Sequence, residues 1–443
     1  MNYPRQADKY LSKNGLNSWK LETAEQKYFS NIIVIPAVDE YENIEPLLES
    51  IILNDEKYFS KTLLVFVVNN LASSGEAVRR NNRKSLELLR TLIHGRGGTD
   101  LHKRFACSGL TIGVVDASGP GSELPEKEGG VGLARKIGMD LALRQFDYSN
   151  NGAKILICLD ADCTVERNYL SSIVEEFQKP GTCAAYVQYE HLLPNAEPGR
   201  SAIICYEIFL RYYLLGLKYA DSPFAFPTVG STMICDYESY IKIGGMNKKK
   251  AAEDFYFMEK LAKIVPIKKI GSTKVYPSSR GSWRVPFGTG QRVNRYFAGT
   301  HEEYLLYNPA SFEILKRWLK YFNSDGARSA DEYLNGAETI DKSLRGFLIQ
   351  NEFGLSWEKI ARSSKSGTQI EKQKMLWFDG FRTLRLIHHL RDKGYPASGM
   401  FDALDKLFNM MNFDQVKSGI ERNVKIPPVE VQIKYLNLLR ELT

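Results

Sequence analysis

The sequence predicts an α/β fold with a mostly parallel sheet, followed by a helical C-terminal region. Three observations predict it. Short apolar runs of strand length alternate with amphipathic helical stretches as far as Leu159. The runs are apolar throughout and rich in β-branched residues, as strands buried on both faces are. Beyond about residue 300 only helical periodicity remains.

The elements follow in order. Residues 1–29 are polar with scattered Tyr, Leu and Trp, and read as an N-terminal arm laid on the main body. NIIVIPA (31–37) is a strand stopped by Pro36, and ENIEPLLESIIL (42–53) places apolar residues at helical spacing with acids in its first turn. TLLVFVVNN (62–70) is a second strand, SSGEAVRRNNRKSLELLRTLI (73–93) a second helix and LTIGVVDA (110–117) a third strand. After GPGSELPEKEGGVG come a helix, LARKIGMDLALRQF (133–146), and the strand ILICL (155–159). Strict alternation with short connections implies right-handed βαβ units with helices on both faces of the sheet.

Past Asp162 the pattern loosens into a helix (VERNYLSSIVEEF), a strand (CAAYVQYEH) and a long apolar-aromatic helix, 201–220, read as core or subunit interface. VGSTMICDYESYIKIGG, a helix after Glu253-Asp254 and an Arg/Gly segment (278–295) follow. The expected division is an arm (1–29), an α/β domain (30–298) and a helical region (299–443) that shapes a substrate site or a dimer.

Composition sets bounds on function. A formal charge of +7 on 443 residues suits an anionic ligand but shows no nucleic-acid stripe. No segment has about 18 apolar residues without charge, so no membrane span is expected, and the opening residues lack an apolar signal core. The expected compartment is the cytoplasm. The six cysteines form no Cys-x-x-Cys pair and read as small core residues.

The sharpest local feature is Asp160-x-Asp162 at the end of the strand 155–159. In open α/β folds ligands bind at the carboxyl ends of strands. Two acids placed there repel each other unless a cation sits between them, and hard divalent cations take oxygen ligands. Alone, such a pair also reads as a loop acid capping the next helix. No G-x-x-x-x-G-K-[ST] is present, and GGVGLAR (129–135) departs from the dinucleotide fingerprint at Arg135. Its glycines still allow backbone to approach an anion at a helix N-terminus, with Arg135 facing a phosphate or a base, or making an ordinary salt bridge. Lys248-Lys249-Lys250 reads as a solvated loop or a phosphate neighbour.

On these residues the chain resembles the GT-A-fold nucleotide-sugar glycosyltransferases, family 2-like, over roughly residues 30–295. IPAVDEYENIEPLLESI resembles that family's strand, proline, polar turn and Leu-rich helix, which makes Pro36, Ala37, Asp39 and Glu40 nucleotide-sugar-binding candidates. GVGLARKIGMDLAL resembles its glycine-rich helix start and gives Gly132 and Arg135 the same role. LDADCTVERNYL resembles the stretch holding its metal-binding D-x-D. GGMNKKKAAEDFYFMEKL resembles its Gly-Gly then Glu-Asp pattern, in which the acid after the Glu is the catalytic base of inverting members.

The resemblance implies a Rossmann-like α/β/α sandwich of GT-A type and metal-dependent transfer of a sugar from a UDP- or GDP-linked donor to an acceptor hydroxyl, with inversion. Mg²⁺ or Mn²⁺ would be held mainly by Asp162, with Asp160 on the ion or the ribose. Asp254 would take the acceptor proton, and Glu253 would bind the acceptor or orient its neighbour. Asn69 and Asn70 stand where an acidic pair usually contacts the base, and their amides can both donate and accept. Arg284, with Arg280 and Arg292, reads as part of a loop that closes on a diphosphate, and His301 as a lone candidate ligand. QRVNRY (291–296) lacks the Gln-x-x-Arg-Trp of processive enzymes. A retaining enzyme of the same fold, a sugar-phosphate nucleotidyltransferase and a non-catalytic nucleotide-binding scaffold are the alternatives.

Overall fold

NIIVIPA forms a strand whose apolar residues are fully buried on both faces, as its composition requires. The computed structural model describes residues 3–282, 288–324, 326–413 and 424–443. In chain order the elements of the first part are α1 (Arg5–Asn14), β1 (Glu22–Thr23), β2 (Asn31–Ala37), α2 (Tyr41–Ile52), β3 (Thr62–Asn69), α3 (Glu76–Ile93), α4 (Asp100–Ser108), β4 (Thr111–Ala117), α5 (Val131–Ala142) and β5 (Ile155–Cys158). Then come β6 (Thr164–Val165), α6 (Tyr169–Gln178), β7 (Ala184–Tyr189), α7 (Gly199–Tyr219), β8 (Met233–Asp236), α8 (Tyr237–Lys242), α9 (Glu253–Ala262) and β9 (Ile267–Tyr276). The remainder comprises α10 (Thr289–Ala298), β10 (Leu305–Leu306), α11 (Pro309–Phe322), α12 (Ala330–Ile340), α13 (Lys342–Gln350), α14 (Phe353–Ser363), α15 (Gly367–Trp377), α16 (Gly380–Asp392), β11 (Ser398–Gly399), α17 (Met400–Met410) and α18 (Val429–Leu442).

The chain divides into two compact units, Met1–Leu192 with Thr228–Gln291, and Leu193–Pro227 with Arg292–Thr443. The first is α/β. Its nine strands run in the order β1-β4-β3-β2-β5-β8-β7-β9-β6. β4, β3, β2 and β5 are parallel neighbours, whereas β8 runs antiparallel to both β5 and β7. Starting from β2 the chain steps outward to β3 and β4, then returns to place β5 on the other side of β2. The carboxyl ends of β2 and β5 therefore flank the topological switch point, where open α/β sheets form a ligand crevice.

Alternate residues divide the two faces. Ile33, Ile35, Leu64, Phe66, Ile155 and Ile157 share one apolar cluster with residues of α2, α3 and α6. Val34 and Val67 point the other way, against α5, where a Cβ on Gly138 would run into Val34 and stand 3.0 Å from Val67 Cγ2. Each Ile, Leu or Val so buried contributes about 1.5–3 kcal/mol relative to exposure. The N-terminal arm is anchored by α1, whose Ala7, Tyr10 and Leu11 are buried.

The second unit is built of helices around its own aromatic core. Trp318 stacks on Phe322 at 4.9 Å between ring centroids, with Tyr333, Phe353, Trp357, Trp377 and Phe378 around them. The boundaries differ from those expected from sequence: Leu193–Pro227, which carries α7, groups with the C-terminal helices, and so does Arg292 onward. α7 is core there, through Ile204, Ile208, Tyr212 and Leu215. Its charged Glu207 is fully buried but answered by Arg211 at 2.7 Å and Arg440 at 2.8 Å, as buried charges must be. Among the described residues no helix is long and apolar enough to cross a membrane.

Candidate active site

The crevice at the switch point collects acids and arginines. β5 is buried to its end, and the chain then turns outward at Asp160 and Asp162, whose side chains are 34% and 21% exposed. α5 begins at Val131 and is buried from Gly132 to Ala142, so its three charged residues, Arg135, Lys136 and Asp140, must each find partners. Arg135 finds two. One guanidinium nitrogen donates to Asp160 Oδ1 and the other to Glu253 Oε1, at the N-terminus of α9. Its Nε is buried without an acceptor among the described residues. A single arginine fork thus ties the end of β5 to the start of α9, reaching Glu253 from 118 residues earlier in the sequence.

Asp254 follows Glu253 in the first turn of α9 and accepts a hydrogen bond from the Phe255 backbone N–H at 2.7 Å. Burial beside the carboxylate of Glu253 pushes its pKa up to about 7, partly offset by Arg135. Glu253 is 4% exposed, and burial raises its pKa while Arg135 opposes the rise. The result is a carboxyl poised near neutrality next to a pinned ion pair, an arrangement that recurs at functional sites.

On the β2 side, Asp39 takes a left-handed conformation (φ 57°), and its N–H donates to Asn82 Oδ1 at 3.0 Å. Glu40 is 5% exposed and accepts from Arg280 at 2.5 Å and from Asn43 Nδ2 at 2.5 Å. The same Arg280 nitrogen stands 3.4 Å from Asp162 Oδ2. Arg280 therefore bridges the carboxyl ends of β2 and β5.

Packing engages three further candidates with protein. Gly132 does not leave an open anion cradle: a Cβ there would lie 2.9 Å from the Asn247 carbonyl and 3.0 Å from Glu253 Cβ, so the glycine admits the lead-in to α9 rather than a ligand. Asn69 and Asn70 are 5% and 3% exposed, and both amides bond protein. Asn69 Nδ2 donates to the Ala37 and Val67 carbonyls, and Asn70 Nδ2 to the Leu71 carbonyl. Asn69 thereby ties the end of β3 to that of β2, while Asn70 bonds its own turn. Of the remaining β2 candidates, Ala37 is buried and Pro36 half-buried.

Other candidates lie elsewhere. Lys248 pairs with Glu128 at 2.9 Å and Lys250 bonds the Glu126 carbonyl at 2.6 Å, so the lysine run clamps a neighbouring loop. Arg292 belongs to the second unit, where it pairs with Glu303 at 3.0 Å, and His301 there is exposed and touches Thr300 at 2.9 Å. Arg284 lies outside the described residues. Cys158, Cys163, Cys205 and Cys235 are buried and unpaired, as expected of core residues.

Sequence reading missed Asn82, which joins the β2 and β3 ends by donating to the Asn69 carbonyl and Asn70 Oδ1, both at 2.9 Å. A signal was available, because an asparagine inside a helix is disfavoured unless its amide is used. It also missed the buried cluster of Lys136, Asp140, Tyr10 and Tyr240.

The acids of the crevice fit a divalent cation in kind. Mg²⁺ or Mn²⁺ bound with a nucleotide typically takes one or two carboxylates, phosphate oxygens and water, and Asp160 and Asp162 supply hard oxygens of that sort. Among the described residues no group of three or more His, Cys, Asp or Glu side chains is gathered to hold a metal ion.

No family model matches the chain. No curated protein matches it in sequence. Among the solved structures it matches are several in complex with nucleotides or nucleotide sugars. They include residues 1–349 of TarS from S. aureus in complex with UDP-GlcNAc, at TM-score 0.40 and 12% identity over 75% of this chain and 92% of that one. Another is the mannosyltransferase PcManGT from Pyrobaculum calidifontis in complex with GDP-Man and Mn²⁺, at TM-score 0.37 and 15% identity over 88% and 93%. A third is glucosyl-3-phosphoglycerate synthase from Mycobacterium tuberculosis in complex with Mn²⁺, UDP and glucosyl-3-phosphoglycerate, at TM-score 0.32 and 15% identity over 55% and 71%. Likeness at this level leaves the chemistry to be read from the chain's own residues.

Proposed function

We propose that the protein is a nucleotide-sugar-dependent glycosyltransferase that uses a divalent cation and inverts the transferred centre. The observation that carries this reading is the Arg135 fork, which joins Asp160 to Glu253, the residue before Asp254 in the first turn of α9. A carboxyl whose pKa is near 7, close to the acids that suit a cation-bound diphosphate, has the protonation behaviour a general base needs at neutral pH.

In this reading Asp162 and Asp160 would hold Mg²⁺ or Mn²⁺, which would supply charge neutralisation to the departing nucleoside diphosphate. Asp254 accepts the proton of the acceptor hydroxyl as its oxygen attacks the anomeric carbon. Arg135 keeps Asp160 and Glu253 fixed, so that neither carboxylate drifts toward the reacting atoms. Arg280, exposed on its Asp162 side, offers a second positive charge to the leaving group. Direct displacement with a single base gives inversion.

Donor hydrolysis tests the reading without knowledge of the acceptor. The chain is incubated with Mn²⁺ and a set of UDP- and GDP-sugars, and free nucleotide is followed. Slow turnover of one donor is expected, reduced about 10²–10⁴-fold in Asp254→Asn, the usual contribution of a general base. Equal turnover by the variant would remove Asp254 from the chemistry.

A further inference from the structure

A cavity of about 450 Å³ in the α/β unit is lined by none of the crevice residues discussed above. Its wall carries four lysines, Lys13 from α1, Lys136 from α5, Lys248 from the loop before α9 and Lys260 from α9, with Asn14 and Asn247 between them. No acidic side chain lines it. Two of the lysines are committed in part: Lys248 pairs with Glu128, and Lys136 with Asp140 at 2.8 Å. Lys13 and Lys260 have no ion pair among the described residues, so the wall holds an excess of positive charge.

Lys136 is the built element of this wall. It is 5% exposed, and its ammonium donates to Asp140 Oδ2 at 2.8 Å and to Tyr10 Oη at 3.0 Å. Asp140 is in turn satisfied by Tyr10 at 2.9 Å and Tyr240 at 2.8 Å. An ammonium has three donors, and among the described residues Lys136 uses two of them, on Asp140 and Tyr10. A buried cation held by two side chains, Asp140 and Tyr10, in the wall of a cavity is costly to maintain for packing alone. The volume lies within the range that holds small organic ligands, about 300–1,000 Å³, and exceeds what a lone ion requires.

We propose that this cavity is a second ligand site, for a small molecule carrying a phosphate or diphosphate group, with Lys136 as its buried contact and Lys13, Lys248 and Lys260 neutralising the charge. The wall is continuous with the crevice side of the fold: Asn247 Nδ2 donates to the Glu253 carbonyl at 2.8 Å. A ligand ordering this wall therefore bears on the start of α9. The site does not depend on the glycosyl-transfer reading.

Calorimetric titration of inorganic pyrophosphate into the full chain tests it, with wild type compared with Lys13→Glu/Lys260→Glu and with Arg280→Ala. Both lysines are solvent-exposed, so the double variant should keep the fold, and a thermal melt verifies that it does. The site predicts saturable binding that weakens roughly tenfold or more in the lysine variant, since each charge-assisted contact is typically worth a factor of this size. Titrated without a divalent cation, the lysine-dependent binding should persist in Arg280→Ala, which alters the crevice alone. Absence of saturable binding to wild type, or binding lost with Arg280 and kept without the two lysines, would overturn the proposal.

Discussion

Arg135 is the residue on which the site turns, because one guanidinium answers two carboxylates that the fold brings together from distant positions. Replacing it with Gln leaves Glu253 and Asp160 facing each other with no cation between them. Breaking a buried pair in this way typically costs about 3–5 kcal/mol, and the midpoint of urea unfolding should fall accordingly. The loss also acts on chemistry. Arg135 lowers the pKa of Asp254, so its removal should raise that pKa further above 7. Protonated Asp254 cannot accept a proton, so wild-type donor turnover should fall as pH drops through about 7, and in Arg135→Gln this acid limb should move to higher pH. An acid limb that stays in place in the variant would separate Asp254 from the observed rate. Lysine is a poor replacement here, since a point charge cannot reproduce the two-pronged contact.

At the scale of elements, α5 and the loop before α9 show how close packing fixes the acids. Gly245 sits at φ 77°, a conformation that favours glycine, and a Cβ there would collide with the Tyr10 hydroxyl and lie 3.1 Å from that of Tyr240. Gly245→Ala should therefore cost about 1–3 kcal/mol through strain and overpacking, read as a lower thermal midpoint. Tyr10→Phe/Gly245→Ala should recover part of that loss, because the colliding oxygen is gone. The Gly-Gly that sequence resemblance tied to the active site is thus held by α1 and by the Lys136-Asp140 cluster. Much of this scaffold was legible beforehand. β2, β3, β4 and β5 fall within a residue or two of the runs read as strands, because full burial leaves an unbroken apolar signature. The position of Asp160-x-Asp162 at a strand end followed from the same signature. β9 was missed because IKKIGSTKVY lies half in solvent and carries three lysines, which dilute the apolar pattern. The antiparallel sense of β8 was missed because strand direction leaves no local mark in sequence. The contacts of Asn69 with Ala37 and of Gly132 with Asn247 were not legible, because tertiary packing alone brings those residues together.

For the whole molecule, each unit carries its own apolar core, one between the sheet and its helices and one among α7 and the C-terminal helices. Trp318 is fully buried at the centre of the second. Its truncation, Trp318→Ala, should remove about 3–5 kcal/mol of stability, measured as a shift in denaturant midpoint followed by near-ultraviolet circular dichroism. A loss below about 1 kcal/mol, the scale of an ordinary surface change, would mean that the aromatic cluster is not the core of this unit. The assignment of α7 to the second unit was not legible, since an apolar helix buried on most sides reads the same in either core.

The central claim is that the crevice between β2 and β5 holds a nucleoside diphosphate through a cation on Asp162 and Asp160. It is tested most directly by calorimetric titration of UDP and of GDP, each with and without Mn²⁺, into wild type and Asp162→Asn. The account predicts binding of one nucleotide that requires Mn²⁺ and is lost in the variant. Binding indifferent to both the ion and Asp162, or no binding of either nucleotide with Mn²⁺ present, would contradict it.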